Sequence, residues 1–157
     1  MMSIQNPDQL IHHLKLEPLP GEGGYFRLMY RSQYSSAIYY LITHNNFSAL
    51  HRLKYDEVFH FYLGDPVEMI QIKSNGELKK ITIGSSILNG EELQIVAEAG
   101  AWQGTRLKDG GKWALLGTTM APRYEDSEFE LGDRNELMKL FPHHGDLIKN
   151  YTRSVAQ

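Results

Sequence analysis

His51 and Glu57, with Gly64 after six intervening residues, are the residues of this chain whose types and spacing best suit chemistry. An unperturbed imidazole titrates near ~6.5, so His51 suits a general base at neutral pH. Glu57 suits the carboxylate that orients such a base. The same pair offers nitrogen and oxygen to a borderline divalent metal. His60 lies three residues beyond Glu57. On a regular strand that odd spacing puts the two on opposite faces. On a helix they would share a face, but Val58-Phe59 and Phe61-Tyr62-Leu63 read as strand. A bulge would bring His60 inward, so it is kept as a candidate ligand contact. Arg27 and Arg31 alternate with Tyr25 and Met29, which puts both guanidinium forks on one strand face, suited to phosphate or carboxylate. Tyr25, Tyr39, Tyr40 and Tyr62 are candidate acids. Ser48 stands near His51 as a polar contact, but no Gly-x-Ser-x-Gly turn surrounds it, which argues against a serine hydrolase.

The elements that must position these groups are mostly strands. The exception at the start is a helix: Asn6 caps it, Pro7 suits its first position, and Leu10, Ile11 and Leu14 form its apolar stripe. Pro18 and Pro20 stop it, and Gly21-Glu22-Gly23-Gly24 turns the chain. That glycine run precedes a strand rather than a helix, so it is not a phosphate loop. Strands are then expected at residues 25–31, 36–42, 47–53, 58–63, 67–72, 78–83, 93–97, 104–107 and 113–120. Asn75-Gly76 marks a hairpin and Asp109-Gly110-Gly111 a tight turn. Closely spaced strands separated by turns argue for a sandwich or barrel. Asp133 caps a helix carrying Leu137, Leu140 and Phe141, Pro142 ends it, and Gly145 to Thr152 supplies a short helix after it.

A chain of 157 residues fits one domain, and no linker or repeat divides it. A net charge of −3 gives no basic footprint for nucleic acid. Without cysteine there is no disulfide, thiolate metal site or thiol nucleophile. The N-terminus shows no signal-peptide pattern, and the longest apolar stretch, Ala37 to Ile42, is too short to span a membrane. A soluble, cytoplasmic protein is expected. His12-His13 and His143-His144 read as surface pairs.

At this point the chain resembles the cupin superfamily. The first cupin motif runs Gly, five residues, His-x-His, three or four residues, Glu, six residues, Gly. His51, Glu57 and Gly64 match it, Leu53 stands for the second histidine, and Asn45 for the opening glycine. The second motif runs Pro-x-Gly, two residues, His. Here Glu98-Ala99-Gly100-Ala101-Trp102-Gln103 keeps the glycine, with Glu98 for proline and Gln103 for histidine. These departures look like one cupin subfamily of uncharacterised function, whose members carry runs similar to Glu22-Gly23-Gly24-Tyr25-Phe26-Arg27, Phe47-Ser48-Ala49-Leu50-His51-Arg52, Asp56 through Pro66, Ala99 through Gln103, and Ala121-Pro122 followed by Phe129-Glu130-Leu131. The likeness extends from Leu10 to Tyr151.

The resemblance implies an all-β, cupin-type jelly-roll barrel over residues 1–157, its core about 22–131, with an N-terminal helix and short C-terminal helices. It implies a small-molecule pocket inside the barrel. Some sugar epimerases of this fold work without metal, with a histidine base and a tyrosine acid. The corresponding reading is a metal-independent sugar or nucleotide-sugar epimerase or isomerase. His51 is then the base, Glu57 its partner, Gln103 a polar contact, Arg27 an anion contact, and Phe59 and Trp102 apolar walls. Two alternatives stand beside it: a binding module without turnover, and a metal-dependent enzyme with a weakly held divalent ion on His51, Glu57 and Gln103. A homodimer is expected, because the two-sided apolar strand Ala37 to Ile42 needs cover outside the barrel as well as inside.

Overall fold

A computed structural model describes residues 6–154. Helix α1 (Pro7–Leu14) begins as its sequence dictates. The Asn6 side chain accepts from the Gln9 amide at 3.1 Å, and the Gln9 side chain accepts from the Asn6 amide at 3.4 Å. This reciprocal box satisfies two of the free N–H groups at the helix start. Eleven strands follow: β1 (Glu17–Pro18), β2 (Tyr25–Arg31), β3 (Ser36–Thr43), β4 (Ser48–Leu53), β5 (Glu57–Gly64), β6 (Val67–Ile72), β7 (Leu78–Ile83), β8 (Gln94–Ala97), β9 (Trp102–Leu107), β10 (Trp113–Met120) and β11 (Phe129–Leu131). Helices α2 (Arg134–Leu140) and α3 (Gly145–Asn150) come last, and Asp133 caps α2 by accepting from the Glu136 amide at 2.9 Å.

The strands form two sheets, in the orders β1-β2-β3-β10-β5-β8 and β11-β4-β9-β6-β7. All of these strand pairings are antiparallel. The sheets face each other as a jelly roll, and among the described residues they do not close into one continuous hydrogen-bonded barrel. The apolar core between them is built from Tyr40, Ile42, Phe59, Met69, Ile83 and Leu116, among others. Each fully buried side chain of this size contributes about 1.5–3 kcal/mol relative to exposure.

Both outer faces are also covered in part. Against the second sheet, α2 and α3 bring Leu137, Phe141 and Ile148 onto Leu50, Ile70, Ile72 and Trp102. Against the first, Leu10 and Leu16 pack on Leu41 and Leu115. The outward cover that the sequence assigned to a twin subunit therefore comes, at Leu41, from α1 of the same chain. Gly64 ends β5 with φ +100, and a Cβ there would meet the Trp113 carbonyl oxygen at 2.4 Å, so this motif position admits only glycine without rearrangement. No helix among the described residues is long and apolar enough to cross a membrane.

Candidate functional site

Alternation along the strands decides which side chains face the space between the sheets, and of the three register shifts among the described strands, those on β4 and β2 bear on the site. The pairing of β4 with β9 shifts between Ser48↔Thr105 and His51↔Gln103, so three steps on β4 match two on β9. Ser48 and His51, three apart, thus both face inward. A second shift, between Leu28 and Tyr30 on β2, pairs Leu28 with Ile38 and Arg31 with Ser36. It turns Arg31 inward and leaves Arg27 outside.

Together these faces enclose a cavity of about 540 Å³, of the size that holds a small organic molecule. Its walls include Phe26, Ile38, Leu53, Phe59, Met120 and Phe129, and its polar groups include Glu22, His51, Glu57 and Tyr40. His51 is 2% exposed, and its Nδ1 lies 2.8 Å from the Ala49 carbonyl oxygen. A carbonyl only accepts, so Nδ1 carries a proton, and in the neutral form of the ring the free lone pair is on Nε2. Nε2 is 3.8 Å from Glu22 Oε1. The ring stacks on Phe129 with centroids 5.3 Å apart.

Glu22 is held by its side chain and by its loop. Ser48 Oγ donates to Glu22 Oε1 at 2.8 Å. The Ala49 amide donates to the Glu22 carbonyl at 2.8 Å, and Tyr40 Oη donates to the Gly23 carbonyl at 2.7 Å. Arg153 clamps the loop from outside, donating from Nη1 to the Glu22 carbonyl and from Nη2 to the Phe47 carbonyl, both at 2.7 Å. Glu57 pairs with Gln103, whose Nε2 donates to Glu57 Oε2 at 3.1 Å. Burial, and then the charge of Glu22, push the Glu57 carboxyl above the usual glutamate range, against smaller opposing contributions from His51, Thr118 and Gln103. Burial, with Glu22 next, likewise raises the Tyr40 phenol well above its ordinary value, so Tyr40 stays protonated.

The structure brings together His51, Glu57, Ser48, Phe59 and Gln103 from the sequence-derived set. It separates the other three. Arg27 points away from the cavity and donates to the Leu14 carbonyl at 3.1 Å, because the β2 bulge breaks the alternation that paired it with Arg31. His60 lies on the outer face, with Nε2 2.9 Å from Thr119 Oγ1 and Nδ1 2.8 Å from Gln94 Nε2. β5 is regular between Glu57 and His60, so the odd spacing holds. Trp102 sits outside the second sheet under the C-terminal helices, with the Arg52 guanidinium 4.7 Å from its ring centroid. As the immediate neighbour of inward Gln103 it has to face outward.

Several cavity residues were missing from that set, and two of them bear on the chemistry. Glu22, rather than Glu57, is the carboxylate beside the His51 ring, and Tyr124 lines the mouth. Both lie in loops, where alternation carries no information. The signal for Glu22 was its place in the glycine run of the subfamily. Of the four candidate tyrosine acids, Tyr40 lines the cavity, while Tyr25 and Tyr39 pack with the outer cluster under α1 and Tyr62 stacks over outward His60.

The four positions that hold metal in cupins carry His51, Leu53, Glu57 and Gln103. Leu53 presents hydrocarbon to the cavity, and Gln103 commits its amide to Glu57. Among the described residues no group of three His, Asp or Glu side chains is placed to hold a metal ion. This donor set does not fit a tightly bound divalent cation.

Comparison with known proteins agrees with the geometry. The family described as Cupin superfamily (DUF985) matches residues 8–132. A crystal structure of a protein from Shewanella oneidensis is 29% identical, covers 97% of this chain and 100% of its own, and superposes with a TM-score of 0.91. A hypothetical protein from Leishmania major is 26% identical over 96% of this chain and 100% of its own, with a TM-score of 0.90. A dTDP sugar isomerase from Desulfovibrio desulfuricans shares the fold at 17% identity, covering 81% of this chain and 85% of its own, with a TM-score of 0.57. No curated protein matches the chain.

Proposed function

Because the chain belongs to the cupin superfamily family DUF985, we propose that the space between its sheets is a small-molecule site where a proton is moved without metal, as in an isomerisation or epimerisation. The observation that carries this reading is the His51 ring. Its Nδ1 proton is fixed on Ala49, its Nε2 is directed toward Glu22, and the whole ring is buried beside a cavity of about 540 Å³. An imidazole held in one tautomer beside a carboxylate is equipped to accept a proton at Nε2, and Glu22 stabilises the imidazolium that results. Glu57 complements it. Burial and the charge of Glu22 raise its pKa, which favours the protonated form more than in an ordinary glutamate and suits Glu57 to return a proton at a second position of the substrate. The fold shared with the Desulfovibrio dTDP sugar isomerase favours a sugar-like, hydroxyl-bearing substrate over other isomerisable compounds.

The test is exchange of ligand hydrogen with solvent. Ligands found by thermal-shift screening of sugars and nucleotide sugars are incubated with the protein in D2O and followed by NMR. Deuterium is expected at one carbon of a true substrate. His51→Gln should lower the exchange rate by about 10²–10⁴-fold while the ligand still binds. Exchange at the wild-type rate in a folded His51→Gln protein removes His51 as the base. Ligands that bind without exchange leave a binding module in place of the enzyme.

A further inference from the structure

The charges of the cavity are lopsided. Glu22, Glu57 and Asp126 line it against a single guanidinium, Arg31. Arg31 is already engaged at the mouth, where Nη2 donates to Glu125 Oε2 at 2.8 Å and Nη1 to the Tyr124 carbonyl at 2.9 Å. At the deep end the donors are spent on protein acceptors: Ser48 on Glu22, Tyr40 on Gly23, Gln103 on Glu57. What remains there accepts. In its neutral form the His51 ring offers the Nε2 lone pair, and Gln103 Oε1 is buried without a partner among the described residues. Gln103 pairs with His51 across the sheet, so its side chain lies on the cavity side. Gln103 does not itself line the cavity, so its unpaired acceptor adds negative potential behind Glu57 rather than a direct ligand contact.

Burial first, and then the charge of Glu22, raise the Glu57 pKa, and a cation placed between the two carboxyl groups opposes their repulsion and favours ionised Glu57. The walls complete the picture. Phe26, Phe59, Tyr124 and Phe129 surround the space, and aromatic faces attract ammonium ions through the ring quadrupole. Carboxylates at one end and aromatic faces around them select positive charge. A phosphate or carboxylate placed at the same end meets two acidic side chains and, among the described residues, no lysine or arginine.

We infer that the cavity selects an organic ammonium compound, its amine head held by Glu22 and Glu57 and its hydrocarbon or ring body lying against Phe26, Phe59 and Phe129. This inference rests on the reading of the cavity as a small-molecule site and names the charge of what enters it. An amino-bearing sugar satisfies both, whereas the anionic part of a nucleotide sugar has no partner at the deep end.

The test uses three probes of one size on the wild-type protein: 2-phenylethylamine, 2-phenylethanol and phenylacetate, titrated calorimetrically at neutral pH. The amine is expected to bind at least about tenfold more tightly than the alcohol, and phenylacetate not at all. Glu22→Gln and Glu57→Gln should each weaken the amine by about tenfold and narrow its advantage over the alcohol. The wild-type ranking needs no variant, so it stands even where one of them folds poorly. Alcohol or phenylacetate binding as tightly as the amine overturns the ammonium assignment and leaves the small-molecule site standing. Failure of the amine to bind at about millimolar concentration overturns it too. Failure of all three probes together with an empty sugar screen removes the site itself.

Discussion

Replacing Tyr40 by phenylalanine separates a structural hydroxyl from a catalytic one. Tyr40 is 1% exposed, and its hydroxyl donates at 2.7 Å to the carbonyl of Gly23, a buried residue in the loop that carries Glu22. Phenylalanine keeps the ring and removes only the donor. The Gly23 carbonyl is then left buried and unsatisfied, which costs about 1–3 kcal/mol. Some of this is offset by the lost desolvation of the hydroxyl itself, so about 2 kcal/mol is expected. In a domain of this size that lowers Tm by about 4–8 °C. Gly24, at φ +77, sits against the same ring, and a Cβ there would lie 2.7 Å from the hydroxyl, so the loop cannot relax inward without meeting Tyr40. Scanning calorimetry reads the shift, and the D2O exchange assay reads the chemistry on the same sample. The expected result is a lower Tm with exchange reduced only modestly, through a looser Glu22. An unchanged Tm would show that the Gly23 carbonyl finds another partner. Exchange abolished at unchanged Tm would make Tyr40 an acid and refute the assignment of that task to Glu57.

Two further outcomes test the site. Glu57 has its folded-state pKa above its unfolded value of roughly ~4.3, so its contribution to stability is full below that pH and declines as pH rises toward the folded value, with a slope of at most about 1.4 kcal/mol per pH unit. Glu57→Gln should therefore flatten the fall in unfolding free energy above pH ~4.3, as measured by urea titrations at a series of pH values; an unaltered pH profile would deny Glu57 its raised pKa. The double substitution Leu53→His, Gln103→His restores the usual cupin ligand positions, and elemental analysis after zinc or manganese loading should find about one ion per chain in the variant. Equal metal in the wild type would show that the reduced donor set suffices.

Much of the fold was legible in the sequence because its signals are local. The Asn6 cap with Pro7, the Asp133 cap, and the alternating runs 25–31, 67–72, 78–83 and 113–120 appear where propensity and period place them. Boundaries moved by a residue or two at β3, β4, β5, β8 and β9, where strand ends depend on the partner strand. The site was less legible for a different reason. Alternation sets His60 and Trp102 outside; His60 as a contact requires a bulge that β5 does not have between Glu57 and His60, and the inclusion of Trp102 beside inward Gln103 disregards alternation. The β2 bulge left no local mark in Leu28-Met29-Tyr30, so Arg27 and Arg31 could not be told apart from spacing alone. The partner of His51 came from a glycine-rich turn, 29 residues away in sequence, that reaches the ring only through tertiary contacts.

The Arg153 clamp has a consequence for synthesis. The guanidinium that fastens the Glu22 loop lies 131 residues later in the chain. During translation the two sheets can pair and the His51 ring can find Ala49 while the loop carrying Glu22 still lacks its last restraint. The clamp from Arg153 to the Glu22 and Phe47 carbonyls forms only once residue 153 has left the ribosome. Until then a nascent chain holds a base without its full setting, so the order of manufacture delays the competence of the site until the fold around it is nearly complete.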